Sequence, residues 1–173
     1  MTQKAQKFAG VELSSEDFYG RKVTQTRYRS KAKFAWSAGE AMSRFLEELK
    51  DGRLIARECS GCKRILFPPR MFCEECFKPT RRWVHIRDTG TIETYSISYI
   101  DKDAKRITEP IFVGVVSIDG ASPKMGMMHY FGEVTKDTIH IGMKVKAKWR
   151  RPEDRVGSVL DIEYFRPLKE GEK

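Results

Sequence analysis

The spacing of apolar positions changes twice along this chain, and the changes divide it. Between 34 and 52 the period is helical. Ala38, Ala41, Met42, Phe45, Leu46 and Leu49 fall at i, i+3, i+4, i+7, i+8 and i+11, one stripe along one side. Ser37 and Glu40 have capping-box spacing at its start, Trp36 precedes the cap where it could staple onto Ala41, and Gly52 supplies a stop. The stripe needs a surface to cover, in its own domain or on another chain, and 34–52 reads as an amphipathic docking helix. From 53 to 87 the segments shorten. Strands are expected at 53–58, 65–67 and 83–86, with Pro68-Pro69 forcing an extended crossing because proline fixes φ and restricts the residue before it.

From Gly90 the texture is all-β, with strands expected at 91–100, 111–118, 126–134, 143–150 and 157–165 between turn-rich breaks. The fourth alternates cleanly, with Val145, Ala147 and Trp149 on one face and Lys144, Lys146, Lys148 and Arg150 on the other. The second is apolar on both faces, as expected where something covers the outside of a barrel. Five strands over about 75 residues suit a small closed barrel, and the OB-fold is the commonest solution. The expected fold class is mainly β: an N-terminal helix, a rubredoxin-like zinc ribbon at 53–87, a five-stranded OB-fold barrel at 88–168 and a polar tail at 169–173.

All four cysteines lie in the ribbon as two C-x-x-C pairs, Cys59/Cys62 and Cys73/Cys76, ten residues apart. Two residues between thiolates let one tight turn aim both sulfurs at one cation, and two such turns build a tetrahedral four-thiolate site. A redox dithiol, a disulfide pair and chance are the competing readings. Two pairs that use every cysteine favour metal, with structural zinc ahead of iron in a rubredoxin-like site. Four thiolates fill the shell and leave no open position for substrate.

The net charge of +9 is uneven. Residues 1–33 carry eight Lys/Arg against three acids and read as an extended basic arm, while 59–90 carry seven against three. An anionic partner is one explanation and a solvated basic surface the other. No apolar run approaches the 18 or so residues of a membrane span, and the start lacks the apolar centre of a signal peptide. With four metal-ready thiols, a cytoplasmic location is expected. No nucleophile motif or phosphate-binding glycine loop is visible. Among His85, His129 and His140, His129 is a conceivable base but reads first as a packed histidine. Asp101, Asp103 and Glu109 read as a solvated loop. Tyr95, Tyr99, Tyr130 and Phe131 could stack bases if the barrel bound single-stranded nucleic acid.

Trp36-Ser37-x-Gly39, Phe45-Leu46-x-x-Leu49-Lys50-x-Gly52-Arg53-Leu54, Cys59-x-x-Cys62, Phe67-Pro68-Pro69-Arg70-x-x-Cys73-x-x-Cys76, Gly90-Thr91-Ile92 and Ile141-Gly142-Met143-Lys144-Val145 together resemble one family over about 34–166. It is the zinc-ribbon/OB-fold acyl-CoA-associated family, long catalogued as a domain of unknown function. Members are small partners of thiolase-fold enzymes, including acetoacetyl-CoA thiolase with HMG-CoA synthase; others join steroid side-chain aldolases and hydratases, or benzoylsuccinyl-CoA thiolase. The resemblance implies a non-catalytic accessory subunit in a hetero-oligomer, holding structural zinc and helping to shape a coenzyme A or acyl-CoA channel. Nucleic acid becomes the lesser alternative. Lys63, Arg64, Arg70, Arg81 and Arg82 are then candidates for the nucleotide phosphates of CoA.

Overall fold

The computed structural model describes residues 14–20, 35–169 and 171–172. The chain divides into two units, Met1–Trp36 and Ser37–Lys173. The expected basic arm, 1–33, lies outside the described residues except at 14–20. There Ser14 caps a short helix, α1 (Ser15–Tyr19), its Oγ accepting the Asp17 N–H at 3.1 Å.

The second unit opens with α2 (Gly39–Lys50). Its apolar stripe is covered at home. Phe45 and Leu49 are fully buried, and the Phe45 ring meets Phe67 of the ribbon edge-on at 5.6 Å between centroids. The capping box is not formed. Ser37 Oγ accepts only the Gly39 N–H, at 3.3 Å, while the Glu40 carboxylate turns to the buried Arg57, 3.0 Å away. The helix start is exposed and water can take its free N–H groups, which leaves Glu40 available to Arg57. Gly52, at φ +75°, stops the helix as expected, a conformation that other residues adopt only at a cost.

The ribbon sheet has the order β2-β1-β3: β1 (Leu54–Cys59), β2 (Ile65–Leu66) and β3 (Thr80–Ile86). β3 starts earlier than expected because Cys59 pairs with Thr80 across a bulge. The barrel closes in the order β4-β5-β6-β8-β7, with β4 (Thr89–Ile100), β5 (Arg106–Ile118), β6 (Gly126–Phe131), β7 (Lys144–Trp149) and β8 (Ile162–Pro167). β8 lies parallel to β6 at Phe131 and Phe165, and antiparallel to β7. In β7 the inward side chains Val145 and Ala147 are buried, as the alternation predicts.

The last strand is shorter than the pattern suggests. Residues 157–161 do not extend, because the Asp161 carboxylate accepts three successive N–H groups, from Val156 (3.1 Å), Gly157 (2.7 Å) and Ser158 (3.0 Å). A capped 3-10 turn, Val159–Asp161, replaces the start of the strand. One continuous core runs from Phe45, Leu54 and Leu66 to Ile92, Val116, Val145 and Phe165, so ribbon and barrel are packed together. The seam is also hydrogen-bonded: Ile65 donates its N–H to Ser122 Oγ at 2.8 Å and accepts the Ser122 N–H at 3.0 Å. Among the described residues, no helix is long and apolar enough to cross a membrane.

Candidate functional site

Cys59 ends β1, and Cys62 follows one tight turn later; Cys73 and Cys76 repeat that arrangement on the facing loop. The two knuckles match in detail. Cys59 N–H donates to the Arg64 carbonyl at 2.8 Å and Cys73 N–H to that of Lys78 at 3.0 Å. The residue after each second cysteine takes a left-handed conformation, Lys63 at φ +63° and Phe77 at φ +54°. All four Sγ atoms lie within 4.8 Å of one another. Cys59–Cys76 is 3.3 Å, and Cys62 is 3.6 Å from both Cys73 and Cys76. A disulfide would need about 2.05 Å. Four thiolates at about 2.3 Å from a tetrahedral zinc stand about 3.8 Å apart, so zinc fits with little adjustment.

The electrostatics ask for a cation. At Cys73, N–H donors from Cys76 and Glu75 hold the thiol below its usual range. At Cys59 burial opposes ionisation, but the N–H groups of Cys62 and Gly61 outweigh it. The Arg64 N–H favours the Cys62 thiolate, yet burial and the three surrounding sulfurs push that thiol up to about 12. Four sulfurs this close ionise together only around a metal.

Four of the five basic candidates gather around two acidic centres instead of forming one open patch. Lys63 (3.8 Å) and Arg82 (Nε at 3.0 Å) converge on Glu58. Arg64 bridges Glu74 (2.8 Å) and Glu75 (2.9 Å) with its side chain only 16% exposed, and Arg70 reaches Glu74 at 3.3 Å. Arg81 is exposed and has no ion-pair partner among the described residues.

Two buried polar groups had no local signal in the sequence. Arg57 donates to Glu40 and to the Thr80 carbonyl (2.9 Å), and lies over the Trp83 ring. Glu48 accepts from Arg53 (2.7 Å), Arg44 (3.2 Å) and His85 (3.1 Å). Beside it a cleft of about 340 Å³ is lined by Arg53, His85, Arg87 and Asp88. His129 is buried with Nε2 3.1 Å from the Val159 carbonyl, and burial holds its pKa below the usual value. Asp101 Oδ1 accepts the N–H groups of Asp103 (2.8 Å) and Lys105 (2.9 Å), tying its loop into a turn. Of the aromatic residues that could stack bases, Phe131 faces the core and Tyr95 is half-buried, while Tyr99 and Tyr130 are exposed.

Two family models match: the rubredoxin-like zinc ribbon domain of ChsH2 over 46–80, and the C-terminal OB-fold domain of ChsH2 over 83–150. Two solved structures are similar. A protein of unknown function from Sulfolobus solfataricus, in the DUF35 family, is 29% identical at a TM-score of 0.52, over 63% of this chain and 78% of that one. An Ltp2–ChsH2(DUF35) aldolase chain is 21% identical at a TM-score of 0.55, over 77% of this chain and 98% of that one; at this identity the likeness is one of fold. The two domain matches together span more than half of the sequence in the order that the structure shows, and the chain belongs to the ChsH2-type zinc-ribbon/OB-fold family, DUF35.

Proposed function

We propose that this chain is the non-catalytic accessory subunit of an acyl-CoA-processing enzyme of thiolase fold, one that makes or breaks a carbon–carbon bond beside a thioester. The family match over both domains carries the reading, together with the similarity to a chain of an Ltp2–ChsH2 aldolase. The disposition of reactive side chains agrees with it. The four cysteines converge on one closed metal site, His85 is paired with Glu48, and His129 is packed against Val159. Exposed apolar side chains offer docking surface: Phe72 (63%) and Phe77 (80%) beside the knuckles, Met128 and Tyr130 on the barrel.

In this reading the metal is zinc and is structural, and the partner supplies the catalytic groups. The barrel and ribbon would flank the CoA channel. Arg81 is the first candidate for a nucleotide phosphate, because Lys63, Arg64, Arg70 and Arg82 are already committed to Glu58, Glu74 and Glu75.

Coexpression with a thiolase-fold acyl-CoA enzyme from the same genome tests the proposal. The two chains are expected to co-elute, and turnover of the acyl-CoA to fall when this chain is left out. An enzyme that works equally well without it would end the reading, and the product formed separates thiolase from aldolase.

A further inference from the structure

β4 and β5 run on past the barrel as a hairpin. β7 pairs with β4 only at 89–91, and the last backbone bonds on that side join Ile92 to Met143 and Gly142. From Glu93 onward, among the described residues, β4 is paired along one edge only, by β5. The other edge stays open until the Ser98 hydroxyl closes on Ile100, accepting its N–H at 3.2 Å and donating to its carbonyl at 2.9 Å. An open edge is a template for another strand, and proteins usually blunt it with charge or proline.

The two edges of this hairpin are treated differently. The part of β5 that β6 does not reach carries Arg106, Glu109 and Pro110. Past the exposed Glu93 that begins the open stretch, β4 reads Thr94-Tyr95-Ser96-Ile97-Ser98-Tyr99, with no charge and no proline, and is rich in strand formers. An unguarded edge beside a guarded one points to a strand that covers it.

The sequence of the edge identifies the occupant. Tyr95-Ser96-Ile97-Ser98-Tyr99 reads the same in both directions. Antiparallel pairing of two copies about Ile97 sets Tyr95 opposite Tyr99 of the second copy, Ser96 opposite Ser98, and Ile97 opposite itself. By strand alternation the tyrosines and isoleucines share one face and the serines the other. Like then meets like: aromatic with aromatic, hydroxyl with hydroxyl, and one β-branched pair on the axis. Tyr99 and Ile100, each about half exposed, gain cover from the second hairpin. We infer that the β4 edge, 95–99, is the seam of a two-fold symmetric homodimer whose hairpins join into one sheet.

The test uses the full zinc-loaded chain, alone, in sedimentation equilibrium, so it is independent of any enzyme partner. The seam is smaller than a standard interface of about 1,600 Å², so association should depend on concentration in the micromolar range. Ser96→Lys with Ser98→Lys puts like charges opposite each other twice and should weaken the dimer at least about tenfold. Ser96→Lys with Ser98→Glu makes the same backbone positions complementary and should restore the dimer to within about threefold of the parent. Both variants lose the Ser98 bonds to Ile100, so any effect of that loss cancels between them. A parent chain of single-chain mass up to about 0.5 mM, far above a micromolar dissociation constant, overturns the inference. Equal behaviour of the two variants does the same, and so does an edge that binds only the acyl-CoA enzyme.

Discussion

The guanidinium of Arg57 lies 4.7 Å from the centroid of the Trp83 ring, buried where α2 crosses the ribbon sheet. From there it reaches Glu40 on α2, the Thr80 carbonyl on β3 and the Met71 sulfur in the crossing after Pro69. One side chain thus ties the helix to both halves of the ribbon. Truncation leaves a buried carbonyl unpaired and removes a desolvated cation–π contact. Arg57→Ala should cost about 3 kcal/mol in urea unfolding of the zinc-loaded protein. Glu40→Ala should cost less than about 1 kcal/mol, because that carboxylate is 63% exposed and its loss is screened. Equal costs would mean that the ion pair, and not the buried bonds to the ribbon, is what matters.

Metal removal should undo the ribbon before the barrel. Cys59 and Cys73 are buried with Leu66 and Phe67 in the core that α2 covers, so losing the cation leaves ionised or unpaired sulfur inside an apolar cluster. Elemental analysis should find about one zinc per chain. Chelation, or Cys62→Ser, should abolish the dispersed amide resonances of β1–β3 and leave those of β4–β8 nearer to native. Iron at the site, or a ribbon that keeps its resonances without metal, would contradict this account.

The four ligands were legible in the sequence because their geometry is local: two residues of spacing fix two sulfurs on one turn. The α2 stripe and the β7 alternation were legible for the same reason, since period alone assigns a face. Arg57 was not, because its partners, Trp83 and Thr80, come from a strand that meets β1 only after folding. The five basic candidates were visible as a cluster, but Glu58, Glu74 and Glu75, which engage four of them, became their partners only through the pairing of β1 with β3 and the closing of the knuckles. The start of β8 misled because Val159, Leu160 and Ile162 are good strand residues. The pull of Asp161 on three backbone N–H groups is a property of its buried position, and composition does not show it.

Glu48 should shape the acid limb of stability. Burial alone would raise its pKa, but hydrogen bonds from Arg53, His85 and Arg44 outweigh that and hold it at about 2, against an ordinary 4.5. A carboxylate depressed in the folded state stabilises above the unfolded value and loses that contribution as pH falls toward the folded one. At neutral pH the contribution is at most about 3 kcal/mol. Glu48→Gln should therefore be less stable than the parent by a constant amount above about pH 5, and the gap should narrow below pH 4.5 and close near pH 2. Zinc release in acid affects both proteins, so the difference between their curves isolates Glu48. A gap that stays constant down to pH 2 would show that Glu48 acts through packing and not through charge.

Arg64 and Arg81 should separate a structural role from a ligand-binding one. Four thiolates around one divalent cation leave the centre anionic, and Glu74 and Glu75 stand on the second knuckle between and beside its ligands. Arg64, nearly buried, is the cation that balances both acids, at 2.8 and 2.9 Å. Its removal leaves Glu74 with Arg70 alone and takes from Glu75 its ion pair, so both acids then repel the anionic centre, across solvent that screens part of the effect. Arg64→Ala should speed zinc loss to a chelator about tenfold, the kinetic equivalent of about 1.4 kcal/mol, and lower thermal stability with it. Arg81 touches none of these groups. Arg81→Ala should leave zinc retention and melting unchanged, and weaken CoA binding in the assembled enzyme if the exposed guanidinium meets a phosphate there. Loss of zinc affinity in Arg81→Ala, or its full retention in Arg64→Ala, would reverse the two assignments.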